Sequence, residues 1–277
     1  GIEGSVLNFS SYNYPAIGTE TIGKSINTSN ATISNQFGQL LFYTNGCAIL
    51  SSNHVVVENG QGLNPGEVHD NQCEYGYSAG PQSCFFLPHP EDENAYLLFH
   101  NRIEYVYEPN FDIITTSLNI SILDKTSNNG FGSVVEKNVV VIDDTLSAGQ
   151  LTAVKHANGQ DWWILAPQYL SGKYYYFSLT AAGISSIQEQ EIGLPTVKQG
   201  EGGGQAVFSP NGEKYIRYTP ADGVFLFDFD RQTGLLSNFR HIEIDDGAFT
   251  GGPAVSPNSR FSYISSDEYD YQFELQA

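Results

Sequence analysis

Three cysteines, six histidines and several paired carboxylates are the side chains here with the means to do chemistry. Cys47, Cys73 and Cys84 allow at most one internal disulfide and leave a thiol over. No Cys-x-x-Cys occurs, and His54, His69, His89, His100, His156 and His241 show no zinc-ligand spacing, so a structural metal is not expected. His156 with Asp161, and His100 with Arg102 and Glu104, are the pairings a general acid and base would use. Neither stands beside a nucleophile, and no Gly-x-Ser-x-Gly elbow occurs. No catalytic residue is assigned.

Asp228 and Asp230 ahead of Thr233-Gly234 resemble an acidic metal loop. The third oxygen ligand, central glycine and distal glutamate of a calcium loop are out of place, so a hairpin turn is expected instead. Asp245-Asp246 and Asp267-Glu268 with Asp270 read as solvated loops. No cofactor is expected; calcium is the metal the acidity would suit, and no motif carries it. Gly202-Gly203-Gly204 precedes a strand rather than a helix, which suits a close backbone approach near an axis and not a phosphate cradle. Trp162-Trp163 and Tyr174-Tyr175-Tyr176 fall in adjacent strands, where alternation sends neighbours to opposite faces. Packing between sheets explains most of this. A shelf on which sugar rings stack is the functional alternative, with these five as its ligand-facing residues. Asn8, Asn27, Asn30 and Asn119 begin Asn-x-Ser/Thr triplets, which matter only in a host that glycosylates them.

The elements that must hold these residues are short strands. Between Gly202 and Ile244, apolar runs at 206–208, 214–218, 224–229 and 239–244 are separated by Asn211-Gly212, Asp222-Gly223 and the 230–234 turn. Asn-Gly and Asp-Gly accept the positive φ of tight hairpins. Four antiparallel strands in about 45 residues make one blade of a β-propeller. Equivalent turns near 38, 93, 159, 212 and 259 recur every 47 to 66 residues. The fold expected is all-β: a β-propeller with four full four-stranded antiparallel blades and a partial, three-stranded fifth. Residues 1–31 read as a polar closing segment that could lend the fifth blade a strand, and 32–277 as the propeller. The longest insertions lie at 58–84 and 101–114, where binding is usually built.

The 277 residues carry 12 basic and 31 acidic side chains, a formal charge of −19, which repels nucleic acid and anionic membrane alike. No window reaches the 18 or so apolar residues of a membrane helix. Methionine is absent, so Gly1 is read as a processed end or an excerpt boundary.

LLFYTNGCAI (40–49), ENGQGLNPG (58–66), CEYGYSAGPQS (73–83), LTAVKHANGQDWWI (151–164), GGGQAVFSPNGEKY (202–215), LFDFDRQTGLLSNFRHI (226–242) and VSPNSRFSY (255–263) together resemble the large secreted β-propeller proteins of Bacteroidota, Saprospira-like lineages above all, that leave by type IX secretion. The resemblance spans nearly all of 32–277. It implies a seven-bladed parent that continues past residue 277, export to the cell surface, and Cys47 and Cys73 as family positions. Cys47–Cys73 is therefore the disulfide expected, with Cys73–Cys84 and three free thiols as alternatives. Asp144-Thr145-Leu146 resembles the O-glycosylation signal of that phylum.

The function expected is a non-catalytic extracellular scaffold for adhesion, capture or appendage assembly. Its partners would be other domains or subunits of a larger surface protein, and glycans. A carbohydrate-binding propeller is the alternative. A lactonase-like or polysaccharide-degrading enzyme is a further one, and would need His, Glu or Arg converging at one mouth of the axis.

Overall fold

The computed structural model describes residues 2–8, 16–109, 111–195 and 204–275. β1 (Ile2–Asn8) and β2 (Ala16–Ile22) form a hairpin of their own. The first blade is β3 (Ala31–Ser34), β4 (Leu40–Thr44), β5 (Ala48–Ser51) and β6 (Val56–Gln61). After helix α1 (Glu67–Gln72) comes the second: β7 (Cys84–Pro88), β8 (Ala95–Val106), β9 (Asp112–Asp124) and β10 (Ser133–Leu146). The third is β11 (Thr152–Lys155), β12 (Trp162–Pro167) and β13 (Lys173–Thr180), its outer position shared by β14 (Gly183–Ile184) and β15 (Gln188–Glu191). The fourth is β16 (Gln205–Phe208), β17 (Lys214–Thr219), β18 (Gly223–Asp230) and β19 (Leu235–Ile242). β20 (Gly251–Val255), β21 (Phe261–Ser266) and β22 (Asp270–Glu274) make the fifth, three-stranded among the described residues. Each blade is in itself an antiparallel meander, and a parallel pairing of β10 with β6, Ser133 opposite Glu58, joins the first two edge to edge. The fold is a β-propeller.

Three expectations need correction. The N-terminal segment pairs with itself and lends no strand to the fifth blade among the described residues. The 101–114 insertion is no loop: β8 and β9 stay paired as far as Val106 opposite Asp112, an extended two-stranded arm. β19 begins at Leu235, not 239, because Gly234 (φ +77°) turns the chain straight back. A bulge near Asn238 (φ +50°) shifts its register and hides the alternation a sequence reader looks for.

Both faces of each inner sheet are buried, so strands read as near-continuous apolar runs and parity decides which neighbour is met. In β18, Phe225, Phe227 and Phe229 pack toward the third blade with Leu165 and Tyr174, while Val224 and Leu226 pack toward the fifth with Ile264. In β8, Leu97 and Phe99 face the third blade and Tyr96 and Leu98 the first. Each pair of adjacent blades thus shares one hydrophobic core. Burying a side chain such as Phe177, fully inaccessible, contributes about 2–3 kcal/mol.

Two glutamines stitch blades where backbones cannot. The Gln82 amide donates to the Ala206 carbonyl at 2.9 Å and accepts from its N–H at 2.7 Å, tying the second blade to the fourth. Gln190 does the same to Leu236, at 2.7 and 2.9 Å, between the third and fourth. Sequence pattern gives no hint of either.

Candidate functional site

Of the first strands, β3 touches β7, and β16 touches both β11 and β20. At the end where they begin lies a cavity of about 590 Å³ to which all five blades contribute, through Thr28, Pro81, Ala148, Gln205 and Gly251-Gly252. Ser78, Ala79, Gly80, Thr250 and the arm residues Ile103 and Ile113 complete its described lining. These residues are small, apolar or neutral and polar; none of them titrates. Close backbone approach explains the glycines. A Cβ on Gly204 would sit 2.0 Å from the Tyr218 carbonyl oxygen, and one on Gly251 would sit 2.6 Å from the Ser265 carbonyl oxygen. Gly204 thus fits the close approach expected of the 202–204 run; Gly202 and Gly203 lie outside the described residues.

One wall of the mouth is built by the two insertions. Cys47 and Cys73 form a disulfide across 26 residues, with Cα atoms 5.7 Å apart, and tie α1 to the first blade. Around it Val68, Tyr77, Ala79 and Ile103 form a small core. The buried Tyr77 hydroxyl accepts from the Ile103 N–H at 2.9 Å and donates to its carbonyl at 3.3 Å, which roots the β8–β9 arm on the loop. Burial raises that phenol to about 12, so it stays protonated. Cys84, the free thiol, is buried in β7 and likewise pushed up to about 12.

At the arm's tip, Tyr105, Tyr107 and Phe111 pack against one another with centroids 5.6–6.2 Å apart. Tyr107 and Phe111 are 58% and 63% exposed. Tyr107 donates to Glu67 Oε1 at 2.7 Å, so α1 braces the cluster. Sequence reading missed it because its residues flank a turn rather than run together.

The five aromatics expected to face a ligand are a correction. Trp163, Tyr174 and Tyr175 are buried, and Trp162 and Tyr176 are half-buried. Trp162 and Tyr175 pack toward the second blade; Trp163, Tyr174 and Tyr176 pack toward the fourth. Trp163 Nε1 donates to the Arg231 carbonyl at 2.8 Å, and the Tyr175 hydroxyl is bound by Asp144. Alternation between two cores leaves no shelf.

The histidine pairings also dissolve. His100 is 1% exposed, with Nδ1 2.7 Å from Asn64 Oδ1 and Nε2 3.0 Å from Ser121 Oγ. Burial depresses it to about 3, so it is neutral, and Glu104 pairs with Arg102 instead. His156 Nδ1 accepts from the Asn158 N–H, and Asp161 accepts from the Asn158 amide. Both cap a turn. Asp230 accepts from Gln232 N–H and Thr233 Oγ1, bonds that lower it and confirm the hairpin reading, while Asp228 is taken by Lys214 and Asn238. Asp246 accepts from Ser266 and Tyr271, and Asp267 from the Phe249 N–H. Asn119 is buried, whereas Asn27 and Asn30 are exposed; the Asn8 triplet runs outside the described residues.

No protein-family model matches the chain, and no curated protein matches it. Among solved structures, a Bacteroides uniformis protein provisionally named a 6-phosphogluconolactonase aligns over 98% of this chain and 77% of its own, at 14% identity and a TM-score of 0.52. A second protein so named, from Bacteroides fragilis, covers 98% and 95% at 10% identity and a TM-score of 0.40. The β-propeller domain of Cps50 (Swd1) from Myceliophteria thermophila covers 90% and 70% at 10% identity and 0.46. Identities this low speak to fold alone.

Proposed function

We propose that this chain is a non-catalytic extracellular propeller module that captures a ligand or seats a partner at the mouth of its central axis. The observation that carries the reading is the mouth itself. All five blades converge on a cavity large enough for a small ligand, and its described lining is glycine, alanine, proline, isoleucine, threonine, serine and glutamine. A lactonase acting on a phosphorylated sugar would call there for a cation to hold phosphate and a titratable group to move a proton. The disulfide suits an oxidising compartment, and the charge of −19 suits an exported surface protein. With the resemblance to type IX cargo, these support a place on the bacterial surface beside other domains or subunits of a larger protein. The test is turnover of a panel of sugar lactones and polysaccharides by the purified chain. Rates at the buffer background are expected; an enzyme-like rate would sink the proposal.

The Tyr105–Tyr107–Phe111 cluster favours a second reading, a glycan-binding propeller. Exposed rings braced by a carboxylate offer a face for sugar C–H groups and acceptors for hydroxyls. Retention on a glycan array, lost in Tyr107→Ala and Phe111→Ala, is the expected result; silence from folded protein removes this reading and leaves the first.

A further inference from the structure

Within the wall of the mouth, three metal-ligating side chains meet around the disulfide. Cys47 Sγ, Cys73 Sγ and a ring nitrogen of His69 all lie within 4.8 Å of one another. His69 lies on α1 and Cys73, four residues on, caps its C-terminal end, so their side chains share a face, and Nδ1 stands 3.2 Å from Cys73 Sγ. Sequence spacing conceals the set, because its third member, Cys47, comes from the turn entering β5. We propose that the reduced protein carries a binding site for a thiophilic cation, zinc above all, formed by these three residues, and that the Cys47–Cys73 disulfide is the closed form of that site.

The chemistry balances with a dithiol as reductant. The dithiol supplies two electrons and two protons, the S–S bond breaks to two thiols, and the reductant leaves as its own disulfide. Zinc binding then displaces the two thiol protons to solvent, giving two thiolate ligands. His69 must offer a lone pair at Nδ1. In the disulfide form that nitrogen lies 2.6 Å from the Leu63 carbonyl oxygen and donates to it. In the metal form the proton resides on Nε2, and Nδ1 turns from the carbonyl to the ion. Zinc–sulfur and zinc–nitrogen bonds near 2.3 and 2.0 Å put tetrahedral ligands roughly 3.5 Å apart, close to the Nδ1–Sγ separation already present. The two sulfurs must part by side-chain rotation, and the imidazole must turn from the Leu63 carbonyl. Water supplies the fourth ligand. His69 and Cys73 are half-buried, so an ion can reach them, and Glu67 and Asp70 on the same helix add negative charge. Two thiolates and an imidazole are a donor set that selects zinc over calcium or magnesium.

Cobalt(II) titration of the whole chain tests the site, because a thiolate-to-cobalt charge-transfer band reports sulfur ligation directly. The protein is reduced anaerobically with a phosphine or dithiol, freed of reductant, and titrated beside an oxidised sample, with far-ultraviolet circular dichroism recorded throughout. One equivalent of cobalt bound with the band, displaced by zinc, is expected in the reduced sample and none in the oxidised one. Cys84→Ser is expected to behave as the parent, and His69→Ala to bind at least tenfold more weakly. The proposal is overturned if reduced and oxidised protein bind alike. It is also overturned if the band survives Cys47→Ser with Cys73→Ser, if His69→Ala leaves affinity unchanged, or if reduction unfolds the chain and zinc does not restore it.

Discussion

His100 shows how much a single buried group can dictate. Held by Asn64 and Ser121 in the seam between the first two blades, it has a folded-state value of about 3 against roughly 6.5 in the unfolded chain. The unfolded state therefore binds the proton first. The contribution of His100 to stability is whole above about pH 6.5 and falls as pH drops toward 3, by up to about 1.4 kcal/mol per pH unit. Urea denaturation at pH 7 and pH 5 is expected to show a loss of about 2 kcal/mol from this group, absent in His100→Gln; equal losses in both would refute the assignment. The glutamine stitches make a second prediction. Gln190→Ala leaves the N–H and C=O of Leu236 without their partners and is expected to cost about 1–3 kcal/mol, read as a lower denaturation midpoint. Neither role was legible in the sequence. His100 stood beside Arg102 and Glu104 as an acid–base candidate because spacing along a strand says nothing of what lies across the seam. Gln190 is one more polar residue in a polar run.

Elements were far more legible than residues. Asn-Gly and Asp-Gly turns bounded by aromatic and β-branched runs located the strands of the fourth blade, and the recurrence of turns located the five blades, since such turns fix register locally. β9 and β10, the longest strands, went unread. What pattern could not show was the length of the β8–β9 arm, which keeps its pairing through residues whose alternation is broken by a bulge at Arg102–Ile103. The disulfide belongs to this scale, because its work is to hold α1 and the long loop against the first blade and the root of that arm. Constraining a loop of 26 residues in the unfolded chain stabilises by about 3–4 kcal/mol. Reduction, or Cys47→Ser with Cys73→Ser, is expected to lower stability by that amount in guanidinium titration. Hydrogen exchange should rise first in 62–83 and in the arm, while the fourth blade keeps its protection. A uniform rise across all blades would show that the disulfide acts on the propeller as a whole and not on its insertion.

At the scale of the whole molecule, the chain is a row of blades joined face to face, each core shared by two neighbours and no more. Such an arrangement has nearly additive stability, a sum of blades and of the interfaces between them. Position along the row should therefore decide how far damage spreads. Phe177, fully buried in the core between the second and third blades, touches Phe99 across it. Phe177→Ala removes packing worth about 3–5 kcal/mol from an interface with structure on both sides, and should lower the main unfolding transition. Ile264, equally buried, lies in the core between the fourth blade and the three-stranded fifth. Ile264→Ala costs about 2–5 kcal/mol, but of an interface backed on one side by the smallest sheet of the propeller. It should release β20–β22 to hydrogen exchange while the main transition stays within about a degree, because the other three cores do not contain it. If both variants shift one cooperative transition equally, the blades do not behave as neighbours in a row, and a contact beyond these four cores must close the fifth blade onto the rest.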